Sequence, residues 1–109
     1  MSEFISVTEA SSMNANFRAI RESMLDASYQ GNDMLPICET FEKSEVLTIL
    51  NQTGCTGLRA YLGLNEAGQV NLVLVGVNEN DEDMLDNSYV LERGIRCPEE
   101  CPPRSSLNS

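Results

Sequence analysis

The sequence predicts an α+β domain, with a long N-terminal helix and a second short helix packed on a small antiparallel sheet. Three stretches predict it. Ala10, Met13, Phe17, Ile20, Met24 and Ala27 recur at steps of three and four, the spacing of one helix face. Residues 58–64 alternate: Leu58, Ala60, Leu62 and Leu64 point one way, Arg59, Tyr61 and Gly63 the other. Residues 70–77 are apolar on both faces, as an inner strand is.

Taken in order, Ser6-Val7-Thr8-Glu9 fits a capping box, with Ser6 as N-cap and Glu9 three residues on. Helix one is therefore expected over residues 7–28, with Gly31 beyond it as a stop signal and its apolar stripe covering one face of the hairpin. Pro36 biases Leu35 toward extended backbone, and residues 37–41 suit a short strand. A second helix is expected over 42–51, with Phe41, Val46, Leu47 and Leu50 as its contacts, Ile49 widening the stripe and Gly54 closing it in left-handed geometry. Residues 65–68, Asn-Glu-Ala-Gly, suit the turn between two antiparallel strands. Two strands do not make a stable sheet, so a third is expected from residues 35–41, from the tail or from another subunit. Residues 1–94 form the expected domain. The tail, 95–109, holds three of the four prolines and is expected to be extended or poorly ordered.

Composition narrows the function classes. The 109 residues allow one modest core. Histidine is absent, which removes the commonest general base and the commonest metal ligand and favours a non-enzymatic reading. Seventeen Asp and Glu against seven Lys and Arg set a net charge of −10. That argues against nucleic acid and anionic membrane as partners and for solubility or a basic partner. No apolar run approaches a membrane span, and MSEFISVTEA does not read as a signal peptide, so a cytoplasmic location is expected.

Candidate sites are few. Arg59 and Tyr61 share a strand face, and a carboxylate from residues 79–83, Asp83 among them, can reach them. Such a trio binds an anion, serves acid–base chemistry or forms a structural ion pair. Cys55 nearby is a candidate nucleophile without a visible base. The acidic run 78–83 lacks the glycine and the final glutamate of a calcium loop and reads as a solvated connection. Cys97 and Cys101 stand in C-x3-C spacing. They can hold half of a soft-metal site, form a disulfide or redox pair, or stay free, and Glu99 and Glu100 beside them oppose thiolate formation.

Residues 54–61 (GCTGLRAY), with LPICETF at 35–41, Val75-Gly76-Val77 and the Cys-Pro-rich tail, resemble a group of small uncharacterised proteins of Bacteroidota. The resemblance spans residue 7 to the tail. It implies a bacterial cytoplasmic origin and brings no activity, cofactor or catalytic residue. The expectation is a non-enzymatic interaction or assembly module, self-associating and able to dock a protein partner through its acidic surface or tail, without cofactor. The alternatives are a small ligand-binding or enzymatic domain using Arg59, Tyr61 and Cys55, and a metal-binding protein using Cys97 and Cys101.

Overall fold

Ser6 caps the first helix, as its capping box predicts. In the computed structural model, which describes residues 2–108, the elements are α1 (Val7–Ile20), β1 (Cys38–Thr40), α2 (Lys43–Leu50), β2 (Cys55–Leu64), β3 (Val70–Asn78) and β4 (Ile95–Cys97), with one 3-10 turn at Ala27–Tyr29. Ser6 Oγ accepts from the Glu9 N–H at 3.0 Å. The fold class is α+β, with an N-terminal helix, a shorter second helix and small antiparallel sheets.

α1 ends at Ile20, short of the expected Ser28. Ser23 Oγ donates to the Ile20 carbonyl (2.9 Å), and the Leu25 N–H folds back to Glu22 (3.1 Å), so the chain tightens out of the α register. No residue of α1 is buried. Phe17 lines a groove on the body, Arg18 donates to the Leu107 carbonyl (2.6 Å), and Arg21 donates to the Leu35 carbonyl and pairs with Asp33 at 3.5 Å. The expected roof over the hairpin is therefore not α1's stripe.

The roof is α2. Ile49, 2% exposed, faces the hairpin with Val46 half-buried one turn before it. Leu47 and Leu50, expected as contacts, are exposed. Gly76 on β3 accounts for this rotation. A Cβ there would meet Cys55 Sγ at 3.0 Å and Ile49 Cγ2 and Gln52 Nε2 at 3.2 Å, so the missing side chain lets the helix settle on Ile49. Leu74 on the same strand is buried, and so is Val75 on its other face.

β2 and β3 form the expected antiparallel hairpin, in register from Leu58 opposite Gly76 to Leu64 opposite Val70. Each end of β3 is turned by the same device. Asn65 Oδ1 accepts from the N–H groups of Ala67 and Gln69, and Asn78 Oδ1 from those of Asn80 and Glu82, all at 2.9–3.1 Å. The fourth residue of each turn has positive φ, Gly68 at 77° and Asp81 at 63°. These are two Asx-type hairpin turns. The acidic run 78–82 is thus a reversal, and it sends Asp83 and Met84 back along β3: Asp83 bridges Val77, and the Met84 N–H donates to Gly76 at 2.8 Å.

Among the described residues the outer edge of β3 receives no complete third strand. Residues 35–41 and the tail, both expected as sources of one, pair with each other as β1 and β4, Cys38 opposite Cys97 and Glu39 opposite Arg96. The tail's first residues therefore belong to the folded body. The edge is closed piecewise instead. Val70 N–H donates to Met34, and Leu74 exchanges two bonds with Leu91, at 2.7–2.8 Å. The central pair of the small sheet closes the rest. Glu39 Oε1 accepts from the Leu72 N–H (2.8 Å), and Arg96 donates through Nε and Nη2 to the Val70 carbonyl (3.1 and 3.0 Å) and through Nη2 to the carbonyls of Asp33 and Met34 (2.9 and 3.3 Å).

Arg96→Met keeps the aliphatic stem and removes every one of these donors. We expect it to destabilise the protein by about 2–4 kcal/mol, the cost of leaving part-buried carbonyls without a charged donor. Urea unfolding followed by circular dichroism measures this, and a loss below about 0.5 kcal/mol would show that the clip contributes little.

Candidate functional site

The feature that stands apart is the other edge of the hairpin. The amides of Val70, Leu72, Leu74 and Asn78 donate away from β2. In an antiparallel ladder the intervening residues of β3 then face β2, and their partners Gly57, Arg59, Tyr61 and Gly63 are the hydrogen-bonded ones. Leu58, Ala60 and Leu62 therefore turn their N–H and C=O groups outward, where nothing among the described residues pairs with them. Their side chains share a face with Leu64, and the leucines are open: Leu58 is 45% exposed, Leu62 76% and Leu64 65%. That face continues into an apolar groove of about 800 Å³ lined by Phe17, Met34, Pro36, Leu62, Leu64 and Val70. A long, apolar, unpaired strand edge is a template for another strand.

The opposite face carries the trio read from the sequence, and the structure brings its members together. Arg59 Nη1 donates to Asp83 Oδ1 at 2.7 Å and to the Asp81 carbonyl at 3.3 Å, Arg59 Nη2 donates to the Asp81 carboxylate, and the Tyr61 hydroxyl donates to Asp83 Oδ2. Both oxygens of Asp83 are engaged, and the guanidinium spans two carboxylates. The hydrogen bonds from Tyr61 and Arg59 hold the Asp83 carboxyl below its ordinary range. The same bond to Asp83 raises Tyr61 above the usual phenol range, and Arg59 likewise rises. The trio is an ionic clamp that ties the returning chain at 81–83 to β2.

Cys55, expected beside Arg59, lies on the other face. Between Cys55 and Gly57 the register slips: two steps along β2 match one step along β3, a β-bulge. The bulge reverses the parity, so Cys55 Sγ packs over Gly76 under α2 and contacts the Gly57 carbonyl at 3.3 Å. Cys97 and Cys101 form a disulfide, which leaves neither as a thiolate ligand in this state, while Cys38 and Cys55 are free. Among the described residues no group of three or more His, Cys, Asp or Glu side chains is placed to hold a metal, and no helix is long and apolar enough to cross a membrane.

Sequence reasoning located Arg59, Tyr61 and Asp83 but passed over the β2 edge and the Glu39 and Arg96 clips. The edge has no local signature, because which side of a strand goes unpaired depends on its neighbours. A faint signal for the clips exists: Cys-Glu-Thr and Ile-Arg-Cys carry opposite charges at their centres. No family model, curated protein or solved structure matches the chain.

The Asp83 shift has a sign that can be checked. Its carboxyl is lowered in the folded state, so the stability it contributes is present above the ordinary carboxylate value of about 4 and is lost as pH falls through the folded value. Asp83→Asn should be less stable than wild type at pH 7, and the gap should shrink progressively below about pH 4. Urea midpoints collected at neutral and acidic pH decide this. A gap independent of pH would mean that the clamp acts by shape and not by charge.

Proposed function

We propose that the chain is a non-enzymatic assembly module that self-associates through the open edge of β2. One observation carries the proposal: the unpaired backbone groups of Leu58, Ala60 and Leu62 coincide with the uncovered leucines of the same strand. A second copy of this edge fits it. Antiparallel addition requires outward-facing residues to sit opposite outward-facing residues. Pairing Ala60 with Ala60 of the second copy satisfies this, overlaps residues 56–64, and sets each Leu58 opposite a Leu62. On the other face it places Arg59 opposite Tyr61 of the second copy. Centring the pair on residue 59 would oppose two arginines directly, which is destabilising. The resulting two-fold contact is isologous and closes without further copies.

Surface area supports the reading. The chain exposes 7972 Å², against roughly 6,000 Å² expected for a compact monomer of its mass. The excess, about 2,000 Å², is more than the roughly 800 Å² that each partner commonly buries in a specific interface. The net charge of −10 opposes association at long range, but residues 58, 60, 62 and 64 are uncharged, so the contact itself buries no charge on that face. Salt therefore strengthens the dimer by screening. A cytoplasmic location in a bacterium is part of this proposal and rests on composition and on the resemblance of the GCTGLRAY segment.

Size-exclusion chromatography with light scattering tests it. We expect a mass twice 12.0 kDa for the wild type, with tighter association at higher salt. Leu62→Lys places a charge at the edge, and Ala60→Pro removes an outward N–H without touching the β2–β3 ladder. Each should weaken the dimer by at least about a hundredfold while circular dichroism stays native. A wild-type monomer at about 200 μM, a concentration at which an assembly module of useful affinity is paired, would overturn the proposal. A dimer indifferent to both substitutions would overturn the use of β2.

A further inference from the structure

The small β1–β4 sheet brings three of the four cysteines to one place. Cys38 is the direct cross-strand partner of Cys97, and Cys97 is disulfide-bonded to Cys101. Directly opposed residues of an antiparallel pair point to the same face with Cα atoms about 4.5–5.5 Å apart, inside the range a disulfide spans. The Ile37 N–H donates to the Cys97 carbonyl at 2.7 Å, which pins the end of β4 beside Cys38. The Glu100 N–H donates to the Arg96 carbonyl at 3.0 Å, which folds the tail back so that Cys101 reaches Cys97. Cys38 and Cys97 sit on the face of this sheet opposite Glu39 and Arg96, so their chemistry leaves the clips on β3 untouched.

Exposure grades the three sulfurs. Cys97 is 3% exposed, Cys38 is intermediate and Cys101 is exposed. A thiol from solution can approach the Cys101 side of the bond. The Cys97 side is shielded from solvent but adjoins a thiol of the chain itself.

We propose that this sheet is a thiol–disulfide exchange site in which Cys38 attacks Cys97 and releases Cys101 as an exposed thiol. The Cys38 sulfur forms a bond to the Cys97 sulfur, and the Cys97–Cys101 bond breaks with its electron pair going to Cys101. The proton lost by Cys38 is balanced by the proton gained by Cys101. The chain is neither oxidised nor reduced, so no outside oxidant or reductant is required. The disulfide moves from a five-residue tail loop to a link between two strands, and the free thiol moves from a half-buried strand to the open tail. The substrate class that such an exposed thiol can then engage is a protein or small-molecule disulfide. This site is independent of the β2 edge, and its failure leaves the assembly proposal standing.

Trapping with N-ethylmaleimide tests the exchange. The Cys55→Ser protein, purified without reductant, is incubated with a low concentration of the reagent in mildly alkaline buffer and digested without reduction. Mass spectrometry then locates the label and the linkage. We expect label on Cys101 together with a Cys38–Cys97 link, at least tenfold more than in Cys38→Ser/Cys55→Ser, and at a rate independent of protein concentration. A second variant, Cys55→Ser/Cys101→Ser, should form the Cys38–Cys97 link on mild oxidation with glutathione disulfide while circular dichroism stays native. Label confined to Cys38 with the Cys97–Cys101 bond intact would overturn the proposal. So would a rate proportional to protein concentration, or a native Cys101→Ser variant whose Cys97 carries glutathione and no link to Cys38.

Discussion

The outer edge of β3 is the constraint on which the rest of this fold depends. The strand carries buried side chains on both faces, Leu74 on one and Val75 on the other, so its backbone groups cannot be left to water. One side is closed by β2. The other is closed by fragments: Met34, the returning residues Asp83 and Met84, Leu91, and the side chains of Glu39 and Arg96. Most of the irregular chain is placed by that task. The segment 31–37 passes the start of β3, the acidic turn returns along its end, and the small sheet is held against it by its central Glu–Arg pair.

That arrangement has an electrostatic cost at Glu39. Burial raises its carboxyl above the ordinary range in spite of the Leu72 amide and the nearby Arg96 charge, and Oε2 is buried without a hydrogen-bond partner among the described residues. Neutralisation would relieve the burial, so this group's contribution to stability is present at low pH and is lost as pH rises, opposite in sign to that of Asp83. The two carboxylates occupy different roles on one hairpin: Asp83 sits on the wet face among donors, Glu39 at a drier edge with a single amide.

The two edges of the hairpin contrast in what covers them. β3 is served by five separate pieces of chain, while β2, ten residues long, is served by none of the described residues along Leu58, Ala60 and Leu62. Natural sheets commonly blunt such an edge with charge, proline or a bulge. Here the bulge lies at the entrance, between Cys55 and Gly57, and the one charge on the strand, Arg59, is turned to the other face and already paired. The uncovered leucines and the unburied α1 both add to the large surface of a chain of this size. The β1–β4 sheet, remote from this edge in role, couples the tail to the body through both hydrogen bonds and a sulfur bridge.

Much of the fold was legible from periodicity alone. The Ser6 cap, α2 and the hairpin with its turn at Gly68 followed from local patterns, because caps, helix faces and strand alternation are set by residues within a turn or two of one another. The convergence of Arg59, Tyr61 and Asp83 was legible for the same reason: alternation fixes a face, and a loop of opposite charge follows close behind. Cys55 misled because alternation assumes an unbroken ladder, and one bulge reverses every face before it. The second Asx turn at Asn78 was hidden under its charge, although Asn-Glu opens both turns. By itself the sequence determined the starts of the two helices, the central hairpin, the α+β class and the residues able to form an ionic clamp. Only the tertiary structure decided which helix roofs the sheet, which strand edge stays open, and which cysteines become neighbours. Those outcomes depend on pairing between segments dozens of residues apart, where the free energy lies in filling backbone partners and cavities and no local pattern records it.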